Sequence, residues 1–123
     1  MKIHLAARPE RRDRALRVAT RLRKAGHRVV SRWIRSKRAR TTIAENAAYT
    51  LTDIAVADCV VFFSERLRRR RMRRWTSDRH VELGYALRSG KRLCVIGPRE
   101  TSFCHLPDVE RYTTVKELIY GLR

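Results

Sequence analysis

The chain has 123 residues, of which 43% are hydrophobic and 34% are charged. These values exclude an intrinsically disordered protein and suit one core, so we expect residues 1–123 to form a single domain. The formal net charge of +18 points first to nucleic acid or another polyanion, although a general bias towards Arg on solvated faces would also contribute to it.

The three cysteines are an odd number and include no CxxC pair, which argues against a disulfide framework and against a zinc knuckle. We therefore expect a reduced, cytoplasmic setting. No apolar run approaches the ~18 residues of a membrane span, so no membrane contact is expected, and the first apolar run is too short for a secretory signal.

The first half of the chain predicts strands that alternate with helices. "KIHLAA" is typical of a buried strand, and "RRDRALRVATRLRKAG" has an apolar stripe at helical spacing that ends at Gly26. "HRVVSRWI" predicts a second strand and "RSKRAR" a basic loop. Thr42 with Glu45 three residues later has the spacing of a capping box, which marks the start of a second helix.

The second half continues the alternation. "DCVVFFSE" is an unbroken apolar run, as expected for a strand covered on both faces, and "RHVELGYALRSG" predicts the next helix. "KRLCVIGPRE" predicts a fourth strand, and a loop then leads to a short strand around Val109 to Tyr112. "TVKELIYGLR" predicts the last helix.

This order, summarised as five strand–helix units, predicts an α/β fold of the flavodoxin-like or Rossmann-like class. We expect three layers, with helices on both faces of a central, mainly parallel five-stranded sheet. Ligand sites in such folds lie at the carboxyl ends of the strands, so chemistry is expected in the loops at that edge.

Glu82 is the first acidic residue of the predicted third helix and lies in its first turn. The unpaired N–H groups and the helix dipole favour an ionised carboxylate there. Such a carboxylate can act as a nucleophile at an anomeric carbon, but a Glu in a first turn is also a common capping residue. Position alone supports only the capping role.

The segment "RHVELGYALRSGKRLCVIGP" resembles the nucleophile segment of the nucleoside 2-deoxyribosyltransferase family and of the related nucleotide N-glycosidases. "MKIHLAAR", "GHRVVSRWI" and "DIAVADCVVFF" resemble other segments of this family, and the end of the chain resembles its short phage or actinobacterial members. The resemblance covers nearly the whole chain. It implies cleavage or transfer of an N-glycosidic bond, no metal, no cofactor, and a homo-oligomer with sites near subunit contacts.

The same resemblance assigns roles to three acidic residues. Glu82 matches the nucleophile that attacks C1′ of the sugar and forms a glycosyl-enzyme intermediate. Asp58 matches an Asp at the start of the third strand, where bonding of local backbone and contact with the substrate are both open. Thr50 stands where many relatives have an Asp, so either Asp53 substitutes for it as a catalytic candidate that orients a sugar hydroxyl or the base, or base handling is altered.

Four further residues are candidates for substrate binding. Arg8 matches a position where phosphate-binding N-glycosidases carry basic residues, with a solvated Arg as the alternative. Trp33 ends the second predicted strand and would border the base, with a core or interface aromatic as the alternative. Ser77 at the helix N-terminus would contact a phosphate or sugar oxygen. His80 would lie at the substrate edge or serve a structural role.

The arginine run at Arg66–Arg74 is the least family-like feature of the chain. It would bind phosphates, either of nonspecific nucleic acid or of a nucleotide at the mouth of the site. Two alternatives to a deoxyribosyltransferase therefore stay open: a nucleoside 5′-monophosphate N-glycosidase, and a non-catalytic basic protein that binds nucleic acid on the same fold.

Overall fold

The computed structural model describes residues 1–35, 42–66 and 78–123, and its centre is a five-stranded sheet. All neighbouring strands are parallel, and their order across the sheet is β2-β1-β3-β4-β5. The strands are β1 Lys2–Ala6, β2 Arg28–Val29, β3 Cys59–Phe63, β4 Arg92–Ile96 and β5 Val109–Tyr112. The predicted α/β class with a parallel five-stranded sheet is confirmed.

In the part of the chain that the structure describes, four α-helices cover the sheet, two on each face. They are α1 Arg12–Lys24, α2 Ile43–Val56, α3 Arg79–Arg88 and α4 Val115–Gly121. One apolar cluster joins the sheet to α1 and α4, and a second joins the opposite face of the sheet to α2 and α3. Because both faces are covered, all five residues of β3 are buried, as the unbroken apolar run predicts.

The predicted ends of several helices are confirmed by their caps. The Thr42 side chain accepts a hydrogen bond from the Glu45 backbone N–H and is the N-cap of α2. Gly26 follows α1 with a φ of +91°, a left-handed conformation that favours glycine. Glu82 lies in the first turn of α3, as predicted.

Two predictions differ from the structure. β2 has two residues rather than eight, because the chain leaves the sheet to bury Ile34 and to let Trp33 Nε1 donate to the Leu5 carbonyl at 2.7 Å. The predicted loop between β4 and β5 is confirmed and contains a 3₁₀ turn, Ser102–His105, so the summary of five strand–helix units was wrong: the described residues have four α-helices. Prolines at 98 and 107 bracket this short segment and leave no room for a longer helix.

No helix among the described residues is long and apolar enough to cross a membrane.

Candidate active site

Glu82 faces the sheet from the first turn of α3 and is only 9% exposed. Its Oε1 lies 3.3 Å from Nε2 of His4, a fully buried residue of β1. A carboxylate that is removed from most solvent and held at one oxygen is oriented rather than free to rotate. Glu82 is therefore a better candidate for a reactive group than an exposed capping Glu would be.

His4 and Ser31 form a buried hydrogen-bonded chain behind this carboxylate, and the sequence pattern alone does not reveal it. Ser31 Oγ lies 3.2 Å from Nδ1 of His4 and accepts a hydrogen bond of 2.6 Å from the backbone N–H of Leu5. The available signal was the polar side chain of His4 inside an otherwise apolar parallel strand, because a buried polar group needs a partner.

Arg79 and Glu100 form a buried ion pair one turn before Glu82. Their side chains are each 3% exposed, and the Arg79 guanidinium also lies over the ring of Phe62 at 4.9 Å. Arg79 Nη1 further donates to the Phe63 carbonyl at 3.3 Å. The pair thereby fixes the start of α3 to the carboxyl end of β3 and to the loop after β4.

Arg8 lies two residues beyond β1, at the carboxyl edge where the fold predicts a site. Its Nε is buried, makes no hydrogen bond within the described residues, and lies 3.5 Å from Glu10 Oε2. Arg11 nearby donates to both oxygens of Glu65, at 2.8 and 3.1 Å. Burial raises the pKa of Glu65, but the hydrogen bond from Arg11 and the surrounding arginine charges, Arg8 included, bring it below its usual value. This corner therefore pairs two arginines with two carboxylates, and Arg8 Nε is left as a donor without a hydrogen bond among the described residues.

Asp53 is buried on α2, and both its oxygens bind Arg32. Asp53 Oδ2 accepts from the Arg32 backbone N–H at 3.0 Å, and Oδ1 accepts from Nε at 2.7 Å. Arg32 also stacks over the ring of Tyr49, 4.4 Å from its centroid. The described contacts of Asp53 thus join the loop after β2 to α2 and do not include Glu82.

Trp33 and Asp58 have no contact with Glu82 among the described residues. Trp33 packs against the apolar cluster on the α1 and α4 side of the sheet. Asp58 immediately precedes β3, at the amino edge of the sheet, and accepts a 2.7 Å hydrogen bond from the Lys2 backbone N–H. Ser77 and residues 67–74 of the arginine run lie outside the described residues.

His80 follows Arg79 on α3 and is partly buried against Phe62, with ring centroids 5.6 Å apart. Burial and the neighbouring Arg79 charge lower its pKa below the usual value, against the opposing effect of Glu100. This shift favours the neutral ring, which suits a structural or substrate-edge residue better than a cationic one.

A cavity of about 590 Å³ lies between α3 and the segment 101–106. Successive helix residues are rotated by about 100°, so its α3 residues point about 100° to 160° away from Glu82. Glu82 itself does not line it. The lining residues are His80, Leu83, Gly84, Leu87, Arg88, Thr101, Ser102, Phe103 and Leu106. The cavity and the Glu82–His4 pair are thus on different sides of α3.

Within the described residues no group of three or more His, Cys, Asp or Glu side chains could hold a metal ion. Cys59 and Cys94 are buried on adjacent strands with their sulfur atoms 3.8 Å apart, and both are free thiols, as is Cys104.

The groups joined at Glu82 are a carboxylate, the imidazole of His4 and the hydroxyl of Ser31. Such a set suits proton-linked or nucleophilic chemistry.

The fold and the buried carboxylate together define a Rossmann-like α/β protein with a candidate site at the carboxyl edge of its sheet. A solved structure with the same fold is that of Clostridium botulinum CMP N-glycosidase, BcmB. Its TM-score to this chain is 0.69 at 16% sequence identity, and the alignment covers 99% of this chain and 98% of that one. No protein-family model matches the sequence, and the comparison with curated proteins gives no match. The likeness shows the fold.

Proposed function

We propose that this protein is an enzyme that cleaves the N-glycosidic bond of a nucleoside or its monophosphate, with Glu82 as the nucleophile. The observation that carries the proposal is the buried Glu82 carboxylate held by His4 near the carboxyl edge of the sheet. The shared fold with a CMP N-glycosidase supports it at the level of architecture, as does the resemblance of the Glu82 segment to the deoxyribosyltransferase family.

The reaction follows from the chemistry of a positioned carboxylate. A Glu82 oxygen lone pair forms a bond to C1′ while the C1′–N bond breaks. The electron pair of the broken bond leaves with the base, which takes a proton from solvent. A carboxylate beside C1′ stabilises the positive charge that develops there. The second step releases Glu82 when water or another base attacks C1′ and gives a proton to solvent. Water yields hydrolysis, and a base yields deoxyribosyl transfer.

The substrate preference has one structural indication. Arg8 places at the carboxyl edge a buried Nε that makes no hydrogen bond among the described residues, 3.5 Å from Glu10 and in the corner where Arg11 pairs with Glu65. A 5′-phosphate would bind such a corner through charge-assisted hydrogen bonds. We therefore expect a monophosphate to be a better substrate than the free nucleoside, with Arg8→Ala reducing the difference.

The test is base release from a panel of nucleosides, deoxynucleosides and their monophosphates, followed by chromatography with and without a second base. We expect release by the wild type and at least a roughly 10³-fold lower rate for Glu82→Gln, because the amide is a poor nucleophile. Glu45→Gln is the matched control, since Glu45 is the corresponding first-turn Glu of α2 and is exposed. No base release from any substrate by the folded wild type would overturn the proposal.

The alternative of a basic nucleic-acid-binding protein is favoured by the net charge of +18. Titration of labelled single- and double-stranded DNA at several salt concentrations would test it. Nonspecific binding predicts a steep loss of affinity with salt, and a smaller salt slope after the arginines of residues 66–74 are replaced. Such binding without base release would favour this alternative over the enzyme.

We also propose that the protein is a homo-oligomer that associates through the exposed face of α2. Ile43 and Leu51, which lie about 80° apart around this helix, are 89% and 40% exposed. Residues 41–65 form the longest stretch without Lys or Arg in a chain that carries 30 of them. Two strongly cationic copies repel each other elsewhere, so an apolar helix side that itself carries no Lys or Arg suits a second copy.

The oligomer is tested by light scattering after size-exclusion chromatography. We expect the Leu51→Glu variant to shift towards the monomer, whereas Tyr120→Glu, on the exposed side of α4, leaves the mass unchanged. A monomeric wild type would refute this part of the proposal.

A further inference from the structure

The hydrogen-bonded chain behind Glu82 begins at the backbone of β1 and passes through two buried side chains. The Leu5 N–H donates to Ser31 Oγ, Ser31 Oγ contacts His4 Nδ1, and His4 Nε2 contacts Glu82 Oε1. The exposed fractions are 1% for Ser31 and 0% for His4. Water therefore does not compete for these bonds, and each polar atom depends on its protein partner.

The direction of each proton in this chain follows from the donors and acceptors present. A nitrogen that faces a carboxylate has to carry a hydrogen, so His4 is the donor at Nε2. Its Nδ1 is then a lone-pair acceptor in the neutral ring, and the Ser31 hydroxyl donates to it. The oxygen of Ser31 in turn accepts a hydrogen bond from the Leu5 N–H, because a backbone N–H group can only donate. A neutral Nε2–H ring of His4 therefore satisfies every atom of the chain.

We propose that His4 is a positioning residue for Glu82 and that Ser31 selects the tautomer in which it acts. The His4 ring holds Oε1 of Glu82, so that Oε2 is the oxygen that attacks C1′. This inference rests on the proposed function of Glu82. His4 transfers no proton in this role, and its contribution is to hold the carboxylate in one orientation through both bond-forming steps.

The arrangement predicts a specific pattern of variants. His4→Gln retains an N–H donor on a side chain of similar reach, whereas His4→Phe removes the donor. Misplacement of a reacting group by about 1 Å can cost roughly 10²-fold, so we expect His4→Phe to lower kcat by about 10²-fold with little change in KM. We expect His4→Gln to recover at least about a tenth of the wild-type kcat.

Ser31→Ala tests the tautomer separately from the contact with Glu82. Without the hydroxyl donor, nothing favours Nδ1 as the acceptor. The ring can then adopt the Nδ1–H tautomer, in which the lone pair of Nε2 faces Glu82. We expect an intermediate loss of kcat, about 10-fold. Ser64→Ala is the matched control, because Ser64 is also buried and its hydroxyl donates to the Ile96 carbonyl instead of to a ring. It should leave kcat within about threefold of the wild type once folded protein is counted.

A spectroscopic measurement tests the tautomer without any reaction. Protein labelled with ¹⁵N-histidine contains four such residues, and the His4→Gln spectrum assigns the His4 signals by their absence. At neutral pH we expect a neutral ring with a protonated Nε2 and an unprotonated Nδ1. We expect this pattern to change in Ser31→Ala and to persist in Ser64→Ala.

The outcomes separate this inference from the proposed function. An Nδ1–H tautomer or an imidazolium for His4 would overturn the inference whether or not the protein is active. A second set of results would overturn the inference but keep Glu82 as the nucleophile. In it the wild type is active, Glu82→Gln is inactive, and kcat is unchanged in folded His4→Phe. If His4→Phe does not fold, His4→Gln and Ser31→Ala still decide, because an unchanged kcat in Ser31→Ala with an unchanged spectrum would refute the role of Ser31. No base release by the wild type would refute the proposed function and with it the positioning of Glu82 for attack, whereas the spectrum would still decide whether Ser31 sets the tautomer of His4.

Discussion

Replacing Asp53 by Ala should destabilise the protein by separating α2 from the loop after β2. Only Asp53 and Ile54 are buried on this 14-residue helix, so its attachment to the rest of the domain depends on few contacts. Asp53 accepts one hydrogen bond from the backbone and one from the side chain of Arg32. Removing the carboxylate leaves both donors without their partner.

The size of the effect can be worked from these two bonds. A hydrogen bond to a charged group contributes about 1.5 to 3 kcal/mol, but the Arg32 side chain is 49% exposed, so water compensates part of its loss. We estimate a total of about 2 kcal/mol. A domain of this size has an unfolding entropy of about 0.26 kcal/mol per kelvin, so the melting temperature should fall by roughly 8 °C.

Thermal unfolding followed by circular dichroism measures this shift. Asp58→Ala is the control, because Asp58 is exposed and accepts a single described hydrogen bond, from the Lys2 N–H. It should lower the melting temperature by only about 2 to 4 °C. If the two variants melted together, or if Asp53→Ala melted like the wild type, the reasoning would be refuted. Loss of base release by a fully folded Asp53→Asn would instead assign Asp53 a role at the substrate.

Two further predictions concern stability. The hydrogen bond from Arg92, stronger than the opposing effect of burial, lowers the pKa of Glu110 to about 2. This stabilisation is present above about pH 4.5 and is lost as the pH falls towards 2. Since the Glu110 side chain is 36% exposed, Glu110→Gln should cost about 1 to 2 kcal/mol in urea unfolding at pH 7 and almost nothing at pH 2. Gly84→Ala should add about 0.5 to 1 kcal/mol, because a methyl group there meets no atom within 4 Å, whereas Gly121→Ala should destabilise through contact with the Tyr112 ring.

A constant difference between Glu110→Gln and the wild type from pH 7 to pH 2 would show that the ion pair is not its cause. For the glycines, equal unfolding free energies of the two alanine variants would contradict the packing around Gly121.

Local pattern predicts much of this fold, because short apolar periods reflect burial directly. The run at residues 59–63 predicts a strand buried on both faces, and the Thr42–Glu45 spacing predicts the start of α2; both are confirmed. The predicted extent of β2 was wrong because Ile34 is buried and Trp33 bonds to the Leu5 carbonyl of β1. These contacts depend on β1 rather than on the sequence neighbours of the two residues.

The candidate site divides in the same way. Its carboxylate could be predicted from the sequence, since Glu82 stands in a recognisable segment in the first turn of a helix. Its partners could not, because His4 is 78 residues away and Ser31 follows a strand that is shorter than its apolar pattern. A pattern of apolar positions contains no information on which polar groups meet across the sheet.

The sequence by itself predicted the five strands, the four helices and the parallel sheet, because apolar periodicity depends on residues a few positions apart, and its resemblance to a family singled out Glu82. Only the tertiary structure decided that β1 lies between β2 and β3. That strand order places His4 beneath α3 and beside Ser31, so a buried imidazole and hydroxyl orient the carboxylate. It also engages Asp53 with Arg32, which no local pattern could show.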